Sequence, residues 1–213
     1  IVYNSPSFDL GGVSASIDLE YSPNAASTSA PANDGGSGTA SDDFGSATGA
    51  GVTLGYDALK VGVYAAEIER TTPVAAGSDK VRDMFEGVWY ASYSFGPVAI
   101  GYSESYMDAG LTGSAESTTS AKAERTAAGL FEGDQMSIAF NVNENLAISY
   151  AMQDIEHQNS GSTADVDEDI DGIGFSYTMG SMTLAGQRNE ADDTNGSAGT
   201  TEEHTELRLS FSF

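Results

Sequence analysis

His204-Thr-Glu-Leu-Arg-Leu-Ser-Phe-Ser-Phe213, the last ten residues, decide how the rest of the sequence is read. Thr205, Leu207, Leu209, Phe211 and Phe213 fall on one side of an extended chain, and His204, Glu206, Arg208, Ser210 and Ser212 on the other. Period-two alternation marks a β-strand with one apolar and one polar face. About ten residues, tilted, is also the length with which a barrel strand crosses a bilayer. In water, an aromatic row ending at a sheet edge invites aggregation. The alternation therefore favours a transmembrane β-barrel over a soluble sandwich.

Composition agrees. The 213 residues carry 32 acidic and 8 basic side chains, a formal charge of -24, and no cysteine. No segment approaches the roughly 18 consecutive apolar residues of a membrane helix, and mean hydropathy is -0.24. Neither weighs against a barrel, because half of each barrel strand faces water. The lack of cysteine excludes a disulfide framework and thiolate metal ligands. The acidic excess argues against nucleic acid as a partner, since its phosphates would be repelled. A solvated, salt-tolerant surface accounts for it. Ile1 opens without Met, a basic n-region or an apolar h-region, so the expectation is a removed leader or a longer parent chain.

The same alternation recurs along the chain. Ile1–Tyr3 reads as the tail of a strand, followed by a turn from Asn4 to Gly12. In the strand from Val13 to Tyr21, Val13, Ala15, Ile17, Leu19 and Tyr21 oppose Ser14, Ser16, Asp18 and Glu20. A long Ala/Ser/Gly/Asp-rich loop runs from Ser22 to about Ala47. Four strand pairs follow: Thr48–Tyr56 with Leu59–Glu69, Phe85–Phe95 with Val98–Tyr106, Asp134–Val142 with Asn145–Ile155, and Ile170–Met179 with Met182–Asn189. Their turns are Asp57-Ala58, Gly96-Pro97, Asn143-Glu144 and Gly180-Ser181. Polar loops from Arg70 to Met84, from Met107 to Gly133, before Ile170 and from Glu190 to Glu203 separate the pairs.

Short turns thus alternate with loops of roughly 13 to 27 residues, and both bracket strands of about ten. A sandwich has no reason to place every long connection at one end, whereas an outer-membrane barrel has a short rim and a long one. Tyr21, Tyr56, Trp89, Tyr93, Tyr102, Tyr150, Tyr177 and Phe213 are expected near strand ends, where aromatic girdles belong. Ten strands follow Gly12, and the stub at Ile1–Tyr3 makes eleven. Strands one and eleven of a meander run parallel and cannot complete an antiparallel barrel. Should the stub not be a strand, ten could close alone.

Tyr3-Asn-Ser-Pro-Ser-Phe8, followed by Gly11-Gly12 and the strand ending at Tyr21, resembles the Tyr-x-Ser-Pro-x-Phe-x-Gly stretch of Gram-negative general porins. The terminal Leu-Arg-Leu-Ser-Phe-Ser-Phe resembles that family's closing strand. The hairpin spacing between them fits about the sixth to sixteenth strands of a sixteen-stranded porin. The resemblance implies a homotrimeric, water-filled channel for small hydrophilic solutes and ions, set in outer-membrane lipid and lipopolysaccharide. It implies that Leu209, Phe211 and Phe213 are read by the outer-membrane assembly machinery. It also implies that the earliest strands and the constriction loop lie upstream of Ile1.

Alternation turns Arg208, Glu206, Asp18, Glu20 and Lys60 toward the lumen, where charge tunes ion selectivity. A wetted wall is polar in any case, so each role is an expectation to be tested. Asp167, Asp169, Asp171 and Gly172 match the opening of an EF-hand loop, but its twelfth position would be Thr178 rather than Glu, so it is not one. The run reads as a solvated acidic loop, with a looser calcium site through Asp165, Asp167 and Asp169 as the alternative; no other cofactor is expected. Gly49-Ala-Gly51 with Gly55 opens a strand rather than a helix, so these glycines point to curvature or close packing, not phosphate binding. His157 and His204, the only histidines, lie at or near loop ends, and nothing singles out a serine or acid as a catalytic partner for either, so no enzyme is expected. The channel's rivals are a complete ten-stranded barrel acting as an adhesin or structural surface protein, and a secreted acidic calcium-binding solenoid, for which the Gly-Gly-x-Gly-x-Asp repeat is missing.

Overall fold

A computed structural model describes residues 1–23, 44–70, 83–108, 130–158 and 164–212. Its strands are β1 (Val2–Asn4), β2 (Phe8–Asp9), β3 (Ser14–Ser22), β4 (Phe44–Tyr56), β5 (Leu59–Arg70), β6 (Met84–Phe95), β7 (Val98–Asp108), β8 (Leu130–Asn141), β9 (Leu146–Gln158), β10 (Val166–Met179), β11 (Met182–Asp192) and β12 (Thr201–Phe211). From β3 to β12 each strand pairs antiparallel with its neighbour in sequence, and β1 and β2 both pair along β3. The result is one up-and-down sheet. Phe213 lies outside the described residues.

The stretch from Asn4 to Gly12, expected as a turn, carries ladder pairing at Asn4 and again at Phe8–Asp9. Asn4 pairs with Asp18 and Phe8 with Ala15, so four residues on one side span three on the other. One extra residue is absorbed at Ser5-Pro6-Ser7. Pro6 has no N–H to give to a ladder. Ser5 bridges the gap: its N–H donates to the Ile17 carbonyl at 2.8 Å and its Oγ accepts from the Ile17 N–H at 2.8 Å. The turn itself shrinks to Gly11-Gly12, both at positive φ (72° and 96°), as a two-residue hairpin of the primed type requires. β1 and β2 are thus two halves of one edge strand.

Turns at Gly11-Gly12, 57–58, 96–97, 142–145 and 180–181 share one end of the sheet, and the remaining connections share the other. Strands reach further toward the long rim than the sequence suggested. β4 begins at Phe44, β8 at Leu130, β10 at Val166 and β12 at Thr201, leaving only 193–200 between β11 and β12. Among the described residues, β12 pairs only with β11, and β1 and β2 only with β3, so the sheet is open. Ten ladder steps separate the two edges, so they run in the same direction and cannot pair antiparallel with each other.

Packing does not follow the rule of a water-soluble domain. Among the described residues few are buried; Ala15 and Leu130 are two of them, while Val63, Ile138, Ile173, Leu207 and Leu209 are each about half exposed or more. Register places these exposed apolar residues on one face. In a single row across β7 to β12, Ile100, Ile138, Tyr150, Ile173, Arg188 and Thr205 stand side by side. The row begins apolar and ends charged and polar. Its neighbour behaves alike: Met136 and Met152 lead to Asp171, Glu190 and Glu203. On β12 the last apolar residue of this face is Leu207, four residues short of Glu203. Four residues are about 14 Å of strand and four strand steps are about 19 Å, so the apolar boundary slants at about 35° to the ladder rows. That is the tilt of barrel strands in a bilayer.

Candidate functional site

The opposite face is the candidate site. Ser14, Ser16, Asp18 and Glu20 on β3 sit beside Gly55, Thr53, Gly51 and Gly49 on β4, then Lys60, Gly62, Tyr64 and Ala66 on β5. Further round, Ser103, Gln135, Gln153 and Ile170 share a row, as do Ser149, Gly174, Gln187 and Glu206. Small and polar residues predominate on this wall.

All five expected lining residues, Asp18, Glu20, Lys60, Glu206 and Arg208, lie on this polar face. They do not form one cluster. Asp18 accepts a hydrogen bond from Asn4 Nδ2 at 2.6 Å near the β1 edge. Arg208 bonds Glu206 at 3.2 Å near the β12 edge. Ser149, Gly174, Ser176 and Gln187 with that pair line a concavity of about 410 Å³. Lys60 stands with its Nζ 5.9 Å from the centre of the Tyr90 ring.

Sequence reasoning missed several residues of this face. Glu86 pairs with Ala66, Glu168 with Ile155, and Glu202 with Ala191. Among the described charged side chains of this face, Asp9, Asp18, Glu20, Glu86, Glu168, Glu202 and Glu206 therefore stand against Lys60 and Arg208, a clear negative excess. Glu168 and Glu202 were hidden because the acidic stretches around them read as loops. Tyr64 and Tyr90 were also passed over. The close packing suggested by Gly49 and Gly51 is real, because a Cβ there would stand 2.2 Å from the Tyr64 hydroxyl and 2.8 Å from its ring.

Near the long rim, the 193–200 connection folds against this face. His157 Nε2 and Glu168 Oε2 meet at 2.8 Å, Phe131 stacks edge-on to the imidazole at 5.1 Å, and Gly196 packs against the ring. Thr194 is buried and its hydroxyl lies 2.8 Å from that of Thr200. His157 has a carboxylate neighbour, which sequence could not show.

The acidic run expected as a loop is strand. Asp167, Asp169 and Asp171 alternate on β10, about 6.5 to 7 Å apart on the apolar side of the sheet, and Asp165 precedes the strand. An extended strand spreads carboxylates that a loop would gather. Among the described residues, no three Asp, Glu or His side chains converge as a metal site. Their neighbours are other acids: Asp134, Asp154, Asp169 and Asp192 occupy one row, which Glu104 extends on β7.

Of the expected aromatic positions, Tyr21, Tyr56 and Tyr177 are at or near strand ends, but Trp89 and Tyr102 are mid-strand. These two sit where the apolar face turns acidic. Trp89 Nε1 donates to Glu104 at 2.8 Å, and the Tyr102 hydroxyl lies 2.8 Å from Glu104 and 2.6 Å from Asp134. Apolar ring below and polar tip above is the arrangement of an interfacial aromatic belt. A slanted boundary puts such residues mid-strand.

No protein-family model matches the chain, and no curated protein matches it. Solved structures do. An anion-selective porin from Comamonas acidovorans superposes with a TM-score of 0.65 at 13% identity, over 100% of this chain and 58% of that one. A porin refined at 1.8 Å resolution gives a TM-score of 0.58 at 17% identity, over 100% of this chain and 60% of that one. This chain therefore spans about three fifths of the length of either. At such identities the likeness speaks for architecture: the chain has the fold of consecutive wall strands of a Gram-negative porin.

Proposed function

We propose that this chain builds the wall of an outer-membrane porin, a water-filled channel through which small hydrophilic solutes and ions diffuse passively, with cations favoured. The observation that carries this is the two-sidedness of one sheet. An apolar band with a slanted edge faces out, and a polar, low-relief wall faces in. Burial of the band in lipid supplies the hydrophobic stabilisation that the sparse core lacks. The inward excess of carboxylates over Lys60 and Arg208 attracts cations and repels anions. That is opposite to the preference in the name of the Comamonas porin.

Antiparallel closure needs an odd number of further strands between the two parallel edges. Five would make the sixteen of the resemblance. A ten-stranded closure is disfavoured, since β1 and β2 occupy the edge of β3 that it would use. On the same proposal three copies assemble, outer-membrane lipid and lipopolysaccharide contact the band, and the assembly machinery reads Leu209, Phe211 and Phe213. The channel needs no cofactor and performs no catalysis.

The test is reconstitution of the full-length protein in a planar bilayer under a KCl gradient. Ohmic conductance with a reversal potential of cation-selective sign is expected. A folded protein that conducts nothing would sink the proposal; an anion-selective sign would sink its cation preference.

A further inference from the structure

Two tyrosines on the polar face lie flat. Tyr64, on β5, leans across β4: a Cβ at Gly51 would stand 2.8 Å from its ring, and one at Gly49 2.2 Å from its hydroxyl. Its hydroxyl lies toward the Glu20 carboxylate on β3. Tyr90, on β6, leans the same way across β5, so that a Cβ at Gly62 would meet its ring at 2.4 Å. Its hydroxyl reaches Thr53 on β4 at 3.4 Å. Each ring lies along the sheet over glycine positions of the neighbouring strand, where no side chain lifts it from the wall. Tyr64 and Tyr90 occupy neighbouring rows, since Tyr64 pairs with Val88 and Gly62 with Tyr90. They therefore pave a continuous patch from β3 to β6.

Filling glycine gaps in a sheet would explain one such ring. It does not explain the fringe. Lys60 stands 5.9 Å from the Tyr90 centroid at one end. At the other, Glu20 and Glu86 share a row with Gly49 and Ala66, one step beyond Tyr64. Flat π-faces accept the C–H face of a pyranose ring, and flanking carboxylate and ammonium groups bond its equatorial hydroxyls. The combination of apolar platform and convergent polar groups is that of a ligand site.

We infer that Tyr64 and Tyr90, seated on Gly49, Gly51 and Gly62, form a saccharide-binding platform on the channel wall, so that pyranose sugars are retained in transit. The inference rests on the channel proposal above. A neutral sugar ring suits it better than a free ion, because stacking supplies the contact area and the charged fringe supplies only hydrogen bonds.

The test compares two solutes of matched hydrodynamic size, a linear malto-oligosaccharide and a polyethylene glycol, on the reconstituted full-length protein. Saturable reduction of current by the saccharide and not by the glycol is expected. Tyr90→Ala should weaken the saccharide constant by about tenfold, the order of one lost ring contact. Tyr90→Phe, which keeps the ring, should retain it. Gly62→Ala lifts the Tyr90 ring from the wall and should weaken binding while the open channel still conducts. Equal reduction by both solutes, or a constant unchanged in Tyr90→Ala, would overturn the platform and leave the channel standing. Absence of any conductance would overturn both.

Discussion

His157 Nε2 stands 2.8 Å from Glu168 Oε2 on adjacent strands, and the same oxygen accepts the N–H of Asn195 at 3.2 Å. One carboxylate therefore ties the β9–β10 wall to the connection that leads into β12. With side chains only 15% and 13% exposed, neither partner has water ready to replace the other. His157→Ala should leave Glu168 short of a donor and remove the ring on which Gly196 rests. The expected loss is about 1 to 3 kcal/mol of stability, read as a lower unfolding midpoint in detergent. Amide exchange at Asn195–Thr200 should quicken while β4 and β5 stay protected. Uniform exchange across the sheet would contradict a local tie.

Asp154 has Asp134 directly opposite on β8 and Asp169 directly opposite on β10. Like charges at paired positions repel. Asp154→Asn should therefore stabilise the protein, by about 0.2 to 1 kcal/mol on the scale of cross-strand pairs. Screening in roughly 1 M salt shortens the reach of the repulsion to about 3 Å, so the gain over wild type should shrink there. Unfolding curves of the two proteins at low and high salt provide the check. A destabilised variant at low salt would mean that these carboxylates are held by something other than their mutual geometry.

Arg208 is bonded to Glu206 at 3.2 Å, with Glu206 on the same polar face. The carboxylate partly cancels the guanidinium's field. Glu206→Gln should release it and move the reversal potential toward anions. Arg208→Gln should move it toward cations, and the double variant should lie between them. Lys60→Gln acts far along the same face, on β5 rather than β12, and should add to Arg208→Gln, since distant charges contribute independently. Reversal potentials of the variants in one KCl gradient decide it. No change in any variant would place all three residues outside the conduction path.

Why some of this was legible in sequence and some was not follows from the period of a strand. Alternation fixes the face of a residue wherever the pattern is clean, as from Met136 to Val142 or Leu207 to Phe211, so faces and tight turns were read correctly. Strand ends near the long rim were not. There the outward face ceases to be apolar, and Asp167-Glu-Asp-Ile-Asp171 alternates acid with acid, which resembles loop composition although it is ladder. Ser5-Pro6 hid the continuation of the first edge strand beyond Tyr3, because proline normally ends a ladder and here Ser5 repairs it through its N–H and its Oγ. The flat seating of Tyr64 on Gly49 and Gly51 depends on pairing between β4 and β5, which no single segment encodes. The tilt was written in the sequence, as a boundary shifting from Met136 to Leu207, but reading it needed the register.

The assignment of faces can be tested at adjacent residues. Ile138 lies on the apolar face between Ile100 and Tyr150, and Ser137 on the polar face between Gly101 and Ala151. A lysine at 138 would put its charge into lipid, where the cost is about 2 to 4 kcal/mol near the bilayer midplane. A lysine at 137 would extend into the wet lumen past neighbours without bulk. Ile138→Lys should thus fail to assemble or unfold early, as seen by heat-dependent gel mobility, whereas Ser137→Lys should assemble normally and shift the reversal potential toward anions. Both variants add one lysine at adjacent positions of the same strand, so the side of the sheet is what chiefly separates them. Should Ser137→Lys be the damaging change, the polar wall and the lipid face would have to be exchanged, and with them the channel.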